Sequence, residues 1–213
     1  MEKIGIIFDM DGTLWDSAQG VACSWNEVVA REYTPDRVLT AEEIHGVMGL
    51  TMDKLAAALF PEIPEKKRMD MLAKCCLVEN EYLRKNGGIL YPEVRETLLK
   101  LKEKYHLYIV SNCQSGYIEA FLTYYGLESL FEDIECYGNN NLKKGDNIRI
   151  VVERNHLDRA VYVGDIQGDY DSSMQAGVEF IHAAYGFGTV EQEVPKIQAF
   201  GELQKVADQV FFH

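Results

Sequence analysis

Residues 6–14 read Ile-Ile-Phe-Asp-Met-Asp-Gly-Thr-Leu, an apolar run that ends in two closely spaced carboxylates, Asp9 and Asp11. Such a run predicts a buried β-strand, and in an open α/β sheet ligands bind at the carboxyl ends of the strands. Two acids two residues apart point the same way along an extended chain, and like charges in a partly desolvated site repel unless a cation or a shared proton relieves them. We therefore interpret the pair as part of a metal site with a nucleophile. The alternative is a pair of surface acids in a turn after an edge strand, since Asp-Gly is also a common turn signal.

Composition limits the classes of protein that this chain can belong to. It has 213 residues, 47% of them hydrophobic and 26% charged, which is typical of a globular protein with a sizeable core. A formal net charge of −13 argues against a nucleic-acid partner, because phosphate backbones are bound by clustered Lys and Arg. No signal peptide and no apolar run of the roughly 18 residues that span a membrane are found, so we expect a cytoplasmic protein without a membrane partner. The five cysteines lack metal-site spacing, and we expect reduced thiols that mostly fill the core.

A helical pattern occupies residues 15–87, where no confident strand is predicted. Ser17 and Thr51 are candidate helix N-caps, and Thr40 with Glu43 forms a capping-box pattern. A longer helix is predicted from Pro64 to Asn86. Its inward-facing residues are expected to be Met69, Leu72, Cys76 and Leu83.

From Tyr91 onward, strand and helix signals alternate. Strands are predicted near residues 107–110, 133–136, 160–163, 179–184 and 209–212, with helices between them. This alternation predicts an α/β fold, a Rossmann-like and mostly parallel sheet with helices on both faces. We expect an α/β core domain made of residues 1–14 and 88–213, and a helical cap domain made of residues 15–87.

Further polar side chains stand where later strands end. Ser111 and Asn112 follow one strand, Asp165 and Asp169 follow another, and Lys144 lies in a loop that opens a helix. Strand ends of a parallel sheet converge in space, so these groups are expected to surround one crevice together with the first acid pair.

The chemistry of this set favours phosphoryl transfer. Several carboxylates suit a hard divalent cation such as Mg²⁺, and the lack of a His and Cys ligand set argues against zinc. A carboxylate attacks phosphorus only if a metal and a cation offset its repulsion from the phosphate dianion, and Lys144 can supply that cation. Ser111 and backbone N–H groups can hold the phosphoryl oxygens, and Asp11 is placed to protonate the leaving oxygen and then to activate water.

On these residues the chain resembles the haloacid-dehalogenase-like hydrolase superfamily, in particular its helical-cap subgroup that includes phosphoglycolate phosphatases. The motifs that carry the resemblance span the chain in order. They are Asp9-Met10-Asp11-Gly12-Thr13, the strand-end Ser111, Lys144, and Gly164-Asp165-Ile166-Gln167-Gly168-Asp169.

The resemblance implies a role for each motif residue. Asp9 would be the nucleophile and Asp11 the general acid/base. Asp165 would bind the metal with Asp9 and the Asp11 carbonyl, and Asp169 would be a further metal-site acid that positions the ligands. Lys144 would be the catalytic lysine, although the family often has Lys-Pro and the pair Lys143-Lys144 leaves Lys143 as an alternative.

Substrate-binding candidates are Thr13, Ser111, Asn112 and Gly49. The last belongs to the turn Met48-Gly49-Leu50-Thr51, about where the resemblance places a specificity loop. The presence of Asp11 favours phosphoryl chemistry over dehalogenation, since true dehalogenases lack this acid.

We therefore expect a Mg²⁺-dependent phosphatase acting on a small phosphorylated metabolite, as a monomer or a homodimer. Two alternatives stay open: a phosphosugar mutase of the beta-phosphoglucomutase type, and a non-catalytic binding protein on the same fold.

Overall fold

The computed structural model describes residues 2–212. Its strands, in chain order, are β1 (Ile4–Phe8), β2 (Trp15–Asp16), β3 (Ile89–Leu90), β4 (His106–Ser111), β5 (Asp133–Cys136), β6 (Arg159–Gly164), β7 (Glu179–Ala183) and β8 (Lys196–Ile197). Six of them form one parallel sheet in the order β5-β4-β1-β6-β7-β8, and β2 pairs with β3 in a separate antiparallel ribbon.

The helices fall into two groups along the chain. Those between β2 and β3 are α1 (Ala18–Glu32), α2 (Ala41–His45), α3 (Met52–Leu59) and α4 (Glu65–Asn86). Those after β3 are α5 (Val94–Leu101), α6 (Tyr117–Tyr125), α7 (Tyr137–Asn140), α8 (Lys144–Arg154), α9 (Gln167–Ala176) and α10 (Leu203–Phe212). Within residues 2–212, none of these helices combines the length and the apolar composition that crossing a membrane requires.

The central strand β1 is buried on both faces. Ile6 and Phe8 belong to the core cluster that contains buried residues of α5, α6 and α10, whereas Ile7 belongs to the opposite cluster with buried residues of α8. Successive side chains of a strand point to opposite faces, so an unbroken apolar strand needs helices on both sides. The predicted α/β class, a parallel sheet covered on both faces, is confirmed.

The helices α1–α4 form an insertion whose two connections to the sheet lie side by side. Trp15 pairs with Leu90 and Asp16 with Ile89 across the β2–β3 ribbon. The chain thus runs from β1 through residues 9–14 and β2 into the helical insertion, and it leaves the insertion through β3, beside β2. The assignment of residues 15–87 to a separate cap domain stays a prediction.

Helix α4 turns a different face inward from the one predicted. Leu72 and Leu83 are buried as expected, but Met69 is exposed and Cys76 only half-buried, while Met71 and Cys75 are buried. The reason is Glu79, a buried acid that accepts a hydrogen bond from Trp25 Nε1. Because a carboxylate stands on the inward face, the spacing of apolar residues alone does not identify that face in the sequence.

The strand predicted at residues 209–212 is wrong. These residues end helix α10, in which Leu203, Ala207 and Phe211 are buried at four-residue spacing. The edge strand of the sheet is β8 instead. A two-residue strand carries too little pattern to be recognised from sequence, whereas Val-Phe-Phe at positions 210–212 has the composition of a strand.

The predicted helix starts are correct in position but differ in chemistry. Thr40 and Glu43 form the capping box at the start of α2, as expected. Ser17 and Thr51 occupy N-cap positions, yet neither side chain makes a cap hydrogen bond. All five cysteines are free thiols, three of them buried.

Candidate active site

Three buried carboxylates meet at the carboxyl end of the parallel sheet. Asp9 follows β1, Asp165 follows β6, and Asp169 lies in the first turn of α9. One oxygen of each lies within 4.8 Å of the others, and all three side chains are buried. The convergence follows from the topology, because β1 and β6 are neighbouring parallel strands that end at the same edge.

Lys144 provides the positive charge inside this group. It is the first residue of α8, and its ammonium donates to Asp9 Oδ1 at 2.9 Å and to Asp169 Oδ1 at 2.6 Å. The neighbouring Lys143 is exposed at the N-cap position. Of the two candidate lysines, the structure therefore brings Lys144 against the first aspartate.

Asp169 is tied down at both of its oxygens. Oδ1 accepts from Lys144, and Oδ2 accepts from the backbone N–H groups of Asp165 and Ile166 at 3.0 and 3.2 Å. The acid thereby fixes the turn that carries Asp165. A carboxylate whose two oxygens already accept hydrogen bonds from three donors is a poor direct ligand for a cation. Asp169 is therefore better suited to orient its neighbours than to bind a cation itself.

Crowding changes the proton affinities of the group. Burial, followed by repulsion from Asp169, raises the pKa of Asp9, and burial with repulsion from Asp169 and Asp9 raises the pKa of Asp165 further. Burial disfavours the Lys144 ammonium, but the adjacent Asp169 and Asp9 more than offset it and raise its pKa. When all three carboxylates are ionised, the group holds more negative charge than one lysine neutralises, and a cation that binds there favours the ionised forms.

The carboxyl group of Asp11 lies outside the three-carboxylate group. Its Oδ1 accepts hydrogen bonds from Ser17 Oγ and Tyr117 Oη, both at 2.7 Å. Burial raises the pKa of Asp11 to about 6, against the lowering effect of these two hydroxyl donors. Its side chain is thus positioned separately from the three carboxylates, and the role of its backbone carbonyl at a metal stays a prediction.

Two glycines allow the loops around the acids to approach closely. Gly12 has a φ of +82°, and a Cβ there would lie 2.0 Å from Asp165 Oδ2. A Cβ on Gly186 would lie 2.3 Å from the Gly12 carbonyl oxygen, and the next residue, Phe187, donates its N–H to Asp165 Oδ2 at 2.8 Å. The loop after β7 therefore closes one side of the site and orients Asp165.

Three of the four predicted substrate-binding residues, Ser111, Asn112 and Gly49, line a cavity above Asp9, whereas Thr13 is not among its lining residues. Ser111 ends β4 and Asn112 follows it, and Gly49 lies between α2 and α3. Asn112 Nδ2 donates to the Gly49 carbonyl at 2.9 Å, which joins the sheet to the insertion. Among the described residues, Thr13 Oγ1 and Asn112 Oδ1 are buried without a hydrogen-bond partner. The Thr13 hydroxyl can donate to a ligand oxygen, whereas the Asn112 amide oxygen needs a donor such as a ligand hydroxyl group.

The cavity is small, about 50 Å³, and extends from Asp9 and Asp11 into the helical insertion. Its apolar wall is made of Val21, Trp25, Ile44, Met48, Leu50, Met52 and Leu55. The buried Glu79 also lines it, and its Oε2 accepts a hydrogen bond from Trp25 Nε1 at 2.5 Å. Burial raises the pKa of Glu79 to about 8, against the lowering effect of hydrogen bonds from Gln114 and Trp25.

Sequence reasoning missed Glu79, Ser17 and Tyr117 as parts of this site. The available signal for Glu79 was a charged residue on a helix face that is otherwise apolar. Ser17 was assigned to helix capping, and nothing in the sequence places Tyr117 near Asp11.

The pH dependence of the free energy of unfolding should show whether Glu79 is protonated in the folded protein. Between pH 4.5 and about 8 the folded chain keeps a proton on Glu79 that the unfolded chain releases, so the free energy of unfolding should fall as the pH rises. The slope is at most about 1.4 kcal/mol per pH unit and vanishes above the folded-state pKa. Glu79→Gln retains an acceptor for Trp25 and has no proton to lose, so wild type should lose stability relative to this variant across that range in urea unfolding.

The matched control is Glu81→Gln, which changes an exposed acid two residues along the same helix. The difference between wild type and this control should not vary with pH. A pH-independent difference for Glu79→Gln as well would mean that Glu79 is ionised in the folded protein.

The available ligand atoms fit a hard divalent cation. Asp9 and Asp165 offer carboxylate oxygens, and no sulfur or imidazole ligand belongs to the described group. Gly12 and Gly186 lie so close to Asp165 that a side chain at either position would collide with its carboxylate. Oxygen ligands with excess negative charge are what Mg²⁺ requires in proteins.

Comparison with known proteins agrees with this geometry. The family model described as haloacid dehalogenase-like hydrolase matches residues 6–183. A phosphoglycolate phosphatase of Aquifex aeolicus is 28% identical over 199 residues, which cover 89% of either chain. A phosphoglycolate phosphatase of Rhodobacter capsulatus is 29% identical over 190 residues, 85% of this chain and 84% of the relative.

A solved structure described as a predicted phosphoglycolate phosphatase from Haemophilus somnus has the same fold. Its TM-score is 0.81 at 22% identity, over 97% of this chain and 99% of that one. The family resemblance read from the motifs is thereby confirmed.

Proposed function

Because the chain belongs to the haloacid dehalogenase-like hydrolase family, we propose that it is a Mg²⁺-dependent phosphatase that hydrolyses a small phosphomonoester through an aspartyl-phosphate on Asp9. Its class, a phosphoric monoester hydrolase, follows from the family and from the phosphatases to which it is similar. The observation that carries the mechanism is the contact of Lys144 with Asp9 inside the group of three buried carboxylates.

In the first step, a carboxylate oxygen of Asp9 forms a bond to phosphorus while the ester P–O bond breaks. Asp11 donates a proton to the leaving alcohol oxygen. Lys144, Ser111 and Thr13 surround the phosphoryl oxygens and offset or share their negative charge. Bound Mg²⁺, held by Asp9, Asp165 and the Asp11 carbonyl, would lower the repulsion between the nucleophile and the phosphate dianion.

In the second step, Asp11 accepts a proton from water as the water oxygen attacks phosphorus. The acyl–phosphate bond breaks, phosphate leaves and the Asp9 carboxylate is restored. A pKa of about 6 suits a group that must give and take a proton in the same cycle. Ser17 and Tyr117 hold its carboxyl group in place for both transfers.

The helical insertion serves in this proposal as a lid over the site. Besides the apolar packing of α4 against α6, it contacts the end of the sheet through polar pairs such as Asn112 with Gly49, and Asn80 with the Ser115 carbonyl at 2.9 Å. The ring of His45, on α2, packs 4.6 Å from that of Phe187. The polar pairs can break and re-form around the β2–β3 ribbon, and a closed lid keeps bulk water out of the site while leaving room for the one water that attacks phosphorus.

An activity panel tests the function and the lid together. We expect inorganic phosphate to be released from p-nitrophenyl phosphate and from small phosphorylated metabolites, and a phosphopeptide to be a poor substrate because the closed cavity is small. Phosphate release and isomerised sugar phosphate are measured in parallel. Isomerisation of a hexose phosphate without phosphate release would identify a mutase, efficient hydrolysis of the phosphopeptide would contradict the lid, and no reaction with any ester would contradict the function.

A further inference from the structure

The charge distribution of the cavity above Asp9 limits the kind of leaving group that it can take. Its lining, all of it within the described residues, contains no lysine, arginine or histidine. Beyond Asp9, the ionisable acids on its walls are Asp11 and Glu79. The single buried cation of the site, Lys144, is engaged by Asp9 and Asp169 at the phosphate end.

A leaving group that enters this cavity must therefore be solvated by apolar side chains and neutral polar groups. Glu79 is nine-tenths or more buried, and Gln114 beside it donates its amide to Asn80 at 3.1 Å. Trp25, Val21 and Leu55 supply the apolar surface. A second anion on the substrate would lose its water here, face Asp11 and Glu79, and gain no cation in return.

We propose that the substrate of this phosphatase is the phosphomonoester of a small, uncharged alcohol, whose carbon chain packs on Trp25 and whose free hydroxyl group hydrogen-bonds to Glu79. The proposal rests on the proposed function and narrows it. Phosphoglycolate, which carries a carboxylate in its leaving group, is then a poor substrate for this chain, unlike what the names of the curated relatives imply for those proteins.

Two esters of the same length provide the test. In 2-hydroxyethyl phosphate a hydroxymethyl group stands where 2-phosphoglycolate has its carboxylate. We expect kcat/KM to be about 100-fold higher for 2-hydroxyethyl phosphate, because a desolvated anion that no cation accompanies is strongly disfavoured. The same order should appear in binding to Asp9→Asn with Mg²⁺, measured by isothermal titration calorimetry without turnover.

A charge placed on the cavity wall should reverse part of this preference. Leu50 lines the cavity and is partly exposed, so Leu50→Arg can supply a cation without burying it. This variant should raise the ratio of kcat/KM for 2-phosphoglycolate to kcat/KM for 2-hydroxyethyl phosphate by about tenfold. The control, Leu99→Arg, adds the same charge on the exposed side of α5, and it should change neither value.

The outcomes separate this inference from the function on which it rests. Hydrolysis of both esters with 2-phosphoglycolate preferred or equal would overturn the inference and leave the phosphatase in place. Equal responses of Leu50→Arg and Leu99→Arg would also count against it. If neither ester bound or reacted and p-nitrophenyl phosphate were stable as well, the proposed function would fall, and the inference with it.

Discussion

Replacing Asp9 by asparagine should reduce turnover by roughly 10⁴-fold or more, the order of loss seen when the nucleophile of a covalent mechanism is removed. The amide cannot attack phosphorus, whereas the size and hydrogen-bonding shape of the side chain are kept. The fold should not suffer. Asp9 is one of three mutually repelling carboxylates, and Lys144 keeps its shorter contact, with Asp169, when the charge of Asp9 is lost.

Steady-state assays and thermal unfolding of the same preparations measure these two effects. The control Asp36→Asn removes an exposed acid far from the strand ends and should retain wild-type activity. Wild type quenched during turnover should gain the mass of one phosphoryl group, and Asp9→Asn should not. An Asp9→Asn enzyme with near-normal turnover, or a phosphoryl group trapped on another residue, would show that Asp9 is not the nucleophile.

The sheet was predictable because its strands are buried on both faces. Ile4–Phe8 and Arg159–Gly164 each carry a continuous apolar run that ends in an acid or a glycine, a signal that needs no tertiary information. The edge strand Lys196–Ile197 was not predictable, because it has two residues and only one of them is buried. The end of α10 was predicted as a strand for a related reason: a short apolar run is compatible with the spacing of a helix as well as with that of a strand.

The candidate site likewise has a part that could be predicted from the sequence and a part that could not. The rule that parallel strands end at one edge places Asp9, Ser111 and Asp165 together, and the structure does bring them to one crevice. Glu79 and Tyr117 depend instead on how α4 and α6 pack over that edge, which no local pattern encodes. The part of the crevice formed by the strand ends could thus be predicted from the sequence, whereas the part that contains Glu79 and Tyr117 could not.

Removing divalent metal should abolish turnover, and this is the second large effect that we expect. Asp9 and Asp165 have raised pKa values because burial, followed by repulsion from Asp169, disfavours their charged forms, and a phosphate dianion adds further negative charge. Lys144 alone offsets one of these charges. Without a cation, Asp9 would hold a proton more readily and attack phosphorus less readily.

The experiment is dialysis against a chelator, followed by assay and by readdition of Mg²⁺. Turnover should fall to the background of the Asp9→Asn variant and return with excess Mg²⁺, whereas Zn²⁺ should restore it poorly, because the described ligand set lacks the nitrogen and sulfur atoms that zinc prefers. The pH dependence of Mg²⁺ binding is an independent test of the same proposal. A cation beside Asp9 and Asp165 favours their ionised forms, so Mg²⁺ binding measured by calorimetry should strengthen as the pH rises and should release protons. Full turnover in the chelated enzyme would contradict the metal proposal, and it would leave Lys144 as the cation that offsets the phosphate charge.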